Sequence, residues 1–163
     1  MRALICSIIL LVVKARAHSL SSHCPDGWTD GQDYGLGCLL FDYNTTRTWN
    51  EAQEYCQERE AWLVEIFSDE QQEYLEEKAY EIEGITGRQE GLWIGATDVG
   101  SEGVWLWTHS NKVVEFSAWA EGQPTGIGSN GEVENYALLS WGFGYKWNDI
   151  TYANMYYTIC QKI

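Results

Sequence analysis

Apolar positions recur at a helical period in the first half of this 163-residue chain and at a strand-like period in the second. In "TTRTWNEAQEYCQERE", Trp49, Ala52 and Cys56 share one helical face, and Thr48 with Glu51 three residues later forms a capping box that starts the helix. The run "AWLVEIF" predicts a short strand. Ser68 then opens a second helix. Asp69 and Glu70 suit the positive end of its dipole, Gln71 takes the capping-box position, and Leu75, Ala79 and Ile82 supply its buried stripe. "EGITGRQEG" breaks that pattern. Beyond it, "LWIGAT", "VWLWT", "YALLSW", "YKWND" and "YYTIC" are short and rich in aromatic and β-branched residues, which predicts strands. A Gly-rich connection near 120–132 interrupts them. At the other end, "CPDGWTDGQDYGLGCLLF" sets turn residues between two cysteines ahead of an apolar run, predicting an N-terminal hairpin. Two helices followed by antiparallel strands, without repeats or linkers, predict one α+β domain.

The first residues stand apart. "MR" precedes "ALICSIILLVV", an apolar run too short to span a bilayer, and small residues at 15 and 17 follow it. Residues 1–17 therefore read as a signal peptide cleaved after Ala17, leaving residues 18–163 secreted and extracellular with no membrane anchor. Charge sharpens the picture. The whole chain has 10 Lys+Arg against 24 Asp+Glu, net −14, and loss of Arg2, Lys14 and Arg16 takes it to −17. Nucleic acid phosphates would repel such a surface, whereas cations suit it.

Cys6 leaves with the signal, so Cys24, Cys38, Cys56 and Cys160 remain: an even set, read in an oxidising compartment as two disulfides with three pairings open. Asn44-Thr45-Thr46 is a glycosylation acceptor sequence on a predicted loop. Catalysis is not expected. Of His18, His23 and His109, two sit at the start, no nucleophile motif accompanies the third, and no His and Cys group at zinc-ligand spacing.

Taken in order, "CPDGW", "TWNEAQEYC", "LWIGATD", "WAEGQP" and "KWND" followed by "YTICQK" resemble the C-type lectin-like domain family across residues 24–162. Each piece is weak alone; five in register are specific. The resemblance implies a double-looped fold of two helices and antiparallel sheets, with a long loop that carries calcium and sugar. It implies the pairings Cys24–Cys38 and Cys56–Cys160. Family members usually add a bridge across the long loop, and its two positions here are Tyr136 and Tyr152, which are expected to pack against each other.

The resemblance also implies a calcium site. Calcium takes about six to eight oxygens at loose geometry. Gln123 and Thr125 flank Pro124, whose cis bond in the family turns both side chains toward one ion. Glu134, Asn148 and Asp149 complete the set, with the Asp149 carbonyl as a further ligand. Thr125 departs from the usual Asn or Asp, and the formal site charge of −2 implies weak binding, about 10⁻⁴ to 10⁻³ M. An auxiliary calcium set comprises Asp98, Glu102 and Glu134, although Gly126 and Asn135 stand where acids are common.

In the family such an ion takes two hydroxyls of a sugar, so Gln123, Thr125, Glu134, Asn148 and Asp149 are also the expected carbohydrate ligands. Gln123 favours galactose or GalNAc over mannose-type sugars. Trp141, with Phe143 and Tyr145 nearby, is the expected stacking aromatic. The role implied is pattern recognition or agglutination in innate immunity. Agglutination would need a homo-oligomer, noncovalent because the cysteines pair internally. The competing expectation is a calcium-independent module of the same shape that binds a protein, mineral or ice surface.

Overall fold

Thr48 begins the first helix as its sequence requires. In the computed structural model, which describes residues 24–163, its hydroxyl accepts from the Glu51 N–H while the Glu51 carboxylate accepts from the Thr48 N–H at 2.9 Å. This helix, α1 (Trp49–Gln57), buries the expected Trp49, Ala52 and Cys56. The predicted signal peptide, Cys6, His18 and His23 lie outside the described residues. The second helix, α2 (Asp69–Thr86), is capped by Ser68 and ends at Gly87 in left-handed conformation. It buries Leu75 and Ala79 and half-buries Ile82.

The expected capping box on α2 is only half formed. Ser68 accepts from the Gln71 N–H, but the Gln71 side chain accepts from the Phe67 N–H at 2.7 Å and donates to the Tyr34 carbonyl at 3.0 Å. A tertiary acceptor on the 3₁₀ turn Gln32–Tyr34 orients this amide, which local spacing cannot convey.

The strands are β1 (Thr29–Asp30), β2 (Cys38–Arg47), β3 (Trp62–Leu63), β4 (Leu92–Thr97), β5 (Leu106–Trp107), β6 (Tyr136–Ser140), β7 (Lys146–Ile150) and β8 (Tyr156–Lys162). They form one sheet in the order β1-β2-β8-β4-β6-β7, with β3 also on β8 and β5 on β4. β1 and β2 make the predicted N-terminal hairpin. Two expected strands shrink: "AWLVEIF" contributes only Trp62–Leu63 and "VWLWT" only Leu106–Trp107, although Val64 and Ile66 remain fully buried. The expectation of purely antiparallel pairing also needs correction. β4 and β8 are parallel, Leu92 opposite Tyr157, because the C-terminal strand returns antiparallel to β2 and inserts beside β4.

Two buried clusters flank the sheet. One packs α2 against β4, β7 and β8 through residues such as Leu75, Ile94, Trp107, Trp147 and Ile159. The other packs α1 against Trp93, Leu138 and Cys160. The disulfides are Cys24–Cys38 and Cys56–Cys160, the second joining α1 to β8 across 104 positions of sequence. His109, the histidine left for chemistry, lies flat on Trp62 at 3.6 Å and is used in packing.

Between β4 and β3 the backbones approach closely at Gly95, whose N–H donates to the Val64 carbonyl at 2.9 Å. A Cβ there would sit 2.7 Å from the Leu63 carbonyl oxygen, a backbone atom that cannot swing away. Gly95→Ala is therefore expected to destabilise the fold by about 2 kcal/mol through forced strand separation, read as a lower urea midpoint. Removing the long bridge as Cys56→Ala with Cys160→Ala is expected to cost about 4 to 5 kcal/mol, against about 3 kcal/mol for the shorter Cys24–Cys38 loop, measured the same way.

Candidate functional site

Trp147 positions the site. It is fully buried among Trp107, Trp119 and Phe116, with edge-on ring contacts at 5.6, 5.4 and 6.1 Å. Its indole N–H donates to Gln72 Oε1 of α2 at 2.7 Å. Its own N–H donates to the Ala118 carbonyl and its carbonyl accepts from the Ala120 N–H, so the start of the long loop is zipped to β7. Asn148 and Asp149 follow in β7, paired with Leu138 and Ala137 of β6.

The loop then turns at a cis Gln123–Pro124 bond. This brings Thr125 and Gly126 over Asp149. The Asp149 carboxylate, fully buried, accepts from the Thr125 N–H at 3.0 and 2.9 Å and from the Gly126 N–H at 2.6 Å. Hydrogen bonds to a charged, buried acceptor are among the stronger ones, so this carboxylate clamps the loop. Thr125 Oγ1 donates to Glu134 Oε2 at 2.9 Å, and the Glu134 N–H donates to the Gly126 carbonyl at 2.9 Å, tying the second arm of the loop to the first.

Three of the five expected ligands, Thr125, Glu134 and Asp149, are thus tied together, and Gln123 precedes them across the cis bond. Gln123 Oε1 is buried with no hydrogen-bond partner, an acceptor waiting for a donor or a cation. Asn148 lies half-buried beside Asp149, and its amide engages none of the described residues. Burial lifts the Glu134 carboxyl above its usual range; the Thr125 hydrogen bond opposes that shift, and the Asp149 charge adds to it. The donor set is all oxygen with two carboxylates, chemistry that fits calcium better than zinc or a soft metal. Both Asp149 oxygens already accept from the backbone, so an ion there would share this carboxylate with N–H donors.

The auxiliary set is looser. Asp98 Oδ2 accepts from the Gly103 N–H at 2.8 Å, while its Oδ1 is buried without a partner. Burial raises the Asp98 carboxyl, and the Asp149 charge adds to the shift. Glu102 lies against Gly126, close enough that any Cβ at that left-handed position would collide with its carboxylate. Among the described residues, no three His, Cys, Asp or Glu side chains converge as a metal cluster, so Asp98, Glu102 and Glu134 do not gather as a triad. Asn135, where an acid is common, also leaves a buried Oδ1 without a partner.

Trp141 is a correction. It lies in the 3₁₀ turn Trp141–Phe143 at the far end of the β6–β7 hairpin, where Ser140 pairs with Lys146, four residues along β6 from Tyr136 opposite Ile150. Its indole donates to Glu83 of α2 at 2.9 Å. Tyr145 is buried nearby, edge-on to Tyr80 of α2, and Phe143 is exposed in the same turn. Tyr136 and Tyr152 do meet, edge-on at 6.5 Å, and Tyr136 also packs on Trp49 at 4.9 Å. Sequence reading missed the Asp149 clamp.

Among the described residues, no helix is long and apolar enough to cross a membrane. The family described as Lectin C-type domain matches residues 45–162. Salivary C-type lectin 1 of Aedes albopictus is 29% identical over 122 residues, spanning 74% of this chain and 79% of the mosquito protein. The mouse scavenger receptor C-type lectin carbohydrate-recognition domain superposes with a TM-score of 0.72 at 28% identity, covering 86% of this chain and 98% of that one. A calcium-independent type II antifreeze protein superposes with a TM-score of 0.69 at 25% identity, covering 86% and 94%. With a family match over most of its length, two helices and the paired-disulfide frame around a cis-proline loop, this chain belongs to the C-type lectin family, whose fold binds carbohydrate and is not an enzyme.

Proposed function

We propose that the chain is a secreted, calcium-dependent lectin for galactose-type sugars, with residues 1–17 its signal peptide and residues 18–163 its recognition domain. The observation that supports this reading is the tie of Thr125 to both Asp149 and Glu134 just after the cis bond, with the neighbouring Gln123 oxygen buried and unpartnered. Asn148 stands beside them as the fifth ligand. Bound there, calcium would supply coordination for two neighbouring sugar hydroxyls. Gln123 and Glu134 would orient those hydroxyls by accepting from them, and the Thr125 hydroxyl would donate or accept. Asn44 lies within β2 and not on the expected loop; exposed where the β2–β8 register shifts, it would be available for glycosylation. Noncovalent self-association and a role in agglutination or innate recognition remain part of this reading.

A second reading has its own support. Asp149 holds Thr125 and Gly126 by their backbone N–H groups, a restraint on the long loop that a metal-free module could also use. A calcium-independent module for a protein, mineral or ice surface would need no more, and the likeness to a calcium-independent relative agrees with it.

Two measurements separate them. A ligand selective for the native state raises stability by RT ln(1 + [L]/Kd), about 1.4 kcal/mol at tenfold excess over Kd. At 10 mM calcium and a Kd of about 1 mM, the melting temperature should rise by about 3 °C over the value in chelator, and galactose resin should retain the protein until chelator is added. An unchanged melting temperature at tens of millimolar calcium removes the lectin reading. Asp149→Asn should cost about 2 kcal/mol in chelator, because one oxygen that accepts N–H bonds becomes a donor facing donors. A cost seen only with calcium present would mean that the clamp contributes nothing by itself.

A further inference from the structure

The backbone is open where it leaves α2. Residues 84–90 are all exposed, Ile85 at 83%, between the half-buried Ile82 and the buried Gly91. The Gly87 N–H closes the helix on the Glu83 carbonyl at 2.7 Å, and the Gly91 carbonyl accepts from the Tyr157 N–H at 3.1 Å. Between them, Arg88, Gln89 and Glu90 make no backbone–backbone hydrogen bond among the described residues. Their ties run through side chains and are long: Arg88 to the Tyr157 hydroxyl at 3.3 Å, the Arg88 N–H to Thr86 Oγ1 at 3.3 Å, and Gln89 to Glu83 at 3.2 Å. An exposed segment so lightly held opens locally with little loss of structure, and such segments are where proteases cut.

Arg88 selects the class of protease. Trypsin-like enzymes hold a basic side chain in an acidic pocket and draw the backbone on both sides of it into their cleft. The other basic residues among the described ones lack that free backbone. Arg47, Lys146 and Lys162 lie in paired strands, and Lys78 lies inside α2. At Arg59, its own N–H and that of Glu60 are bonded back to α1 carbonyls at 2.9 and 3.0 Å, and the guanidinium packs on the Tyr55 ring. The Lys112 carbonyl accepts from the Trp107 N–H at 2.9 Å, in a turn closed by the Leu106–Val113 bridge.

We infer that Arg88–Gln89 is a processing site for a trypsin-like serine protease, which converts the domain into two chains held by the Cys56–Cys160 disulfide. Hydrolysis adds one water: the Arg88 carbonyl carbon becomes a carboxylate, and the Gln89 nitrogen leaves as an amine that takes up the proton. The cut separates β1–β3, α1 and α2 from β4–β8, with Cys56 on one side and Cys160 on the other. Contacts across it are extensive. β8 pairs with β2 and β3, the Trp93 indole donates to the Arg47 carbonyl at 2.7 Å, and that of Trp147 donates to Gln72 at 2.7 Å. Gln123, Thr125, Glu134, Asn148 and Asp149 all fall in the second chain, and hydrolysis at residue 88 requires no ion at any of them.

A time course of the folded, oxidised protein with trypsin, read by mass spectrometry and by gels with and without reductant, tests this. The first bond broken within residues 24–163 should be the one after Arg88. That gives one band without reductant and, with reductant, two fragments, one ending at Arg88 and one beginning at Gln89. The aromatic circular dichroism of the cut protein should persist until reductant is added. Arg88→Gln, at an exposed position, should slow breakage of the domain at least about tenfold and leave the melting temperature within about 2 °C, whereas Arg88→Lys should still be cut. A first break after Arg59, Lys112 or any other residue of the domain overturns the assignment, as does an unchanged rate in Arg88→Gln or resistance at Arg88 until denaturant removes the fold. Loss of the aromatic signal on cutting, before any reductant, overturns the two-chain product.

Discussion

The burial of Trp147 is the constraint from which the recognition loop takes its shape. An indole of this size removed from water contributes about 4 kcal/mol of apolar burial. That contribution is made only if Trp107, Trp119 and Phe116 come together around it. Two of these, Phe116 and Trp119, belong to the loop itself. The loop is therefore held at its root by the core, and Gln72 ties the same indole to α2. Because Trp147 also spends its backbone N–H and C=O on Ala118 and Ala120, the next two residues have little freedom. Asn148 and Asp149 stand where they do as a consequence of packing, before any ligand is considered.

Electrostatics acts on this fixed frame. No Lys or Arg occurs between Lys112 and Lys146, while Glu115, Glu121, Glu132 and Glu134 fall within that stretch and Asp149 follows. A buried carboxylate here is compensated by neutral donors, backbone N–H groups or a hydroxyl, or by a cation. Asp149 uses the first, drawing on Thr125 and Gly126. Glu134 has the Thr125 hydroxyl alone, and its raised carboxyl pKa reflects that shortfall together with burial. Asp98, half-satisfied by Gly103, shows the same deficit. The site is thus asymmetric: Asp149 is well supplied with donors, whereas Glu134 and Asp98 are not.

Local signals made much of this legible beforehand. The Thr48–Glu51 box, the Ser68 cap and the spacing of Trp49, Ala52 and Cys56 are determined within a few residues, and each appears as read. The cis bond before Pro124 and both disulfides followed from the family resemblance. What was not legible is nonlocal. The parallel pairing of β4 with β8 depends on where the C-terminal strand inserts. The orientation of Gln71 depends on a carbonyl 37 residues away. Trp141 looked like a sugar platform because "SWGFGYKW" is aromatic, but a β-hairpin places its turn far from its opposite end, and the five residues of β6 separate Trp141 from the loop. The role of Asp149 as a clamp was hidden because it is exercised on backbone N–H groups, which every residue but proline carries.

The two tyrosines show how a loop without its usual covalent tie is restrained. Tyr136 is wedged between Trp49 of α1 and Tyr152, which links the second arm of the loop to the α1 cluster. A disulfide constrains the unfolded chain, whereas ring contacts act only in the folded one and contribute about 0.5 to 1.5 kcal/mol each beyond burial. The exchange therefore gives up stability, and it leaves Tyr152 half in solvent. A bridge between these positions would have placed two small sulfur atoms where an aromatic plane now faces water. Ring contact thus restrains the two arms from one side only and leaves Tyr152 more than half exposed.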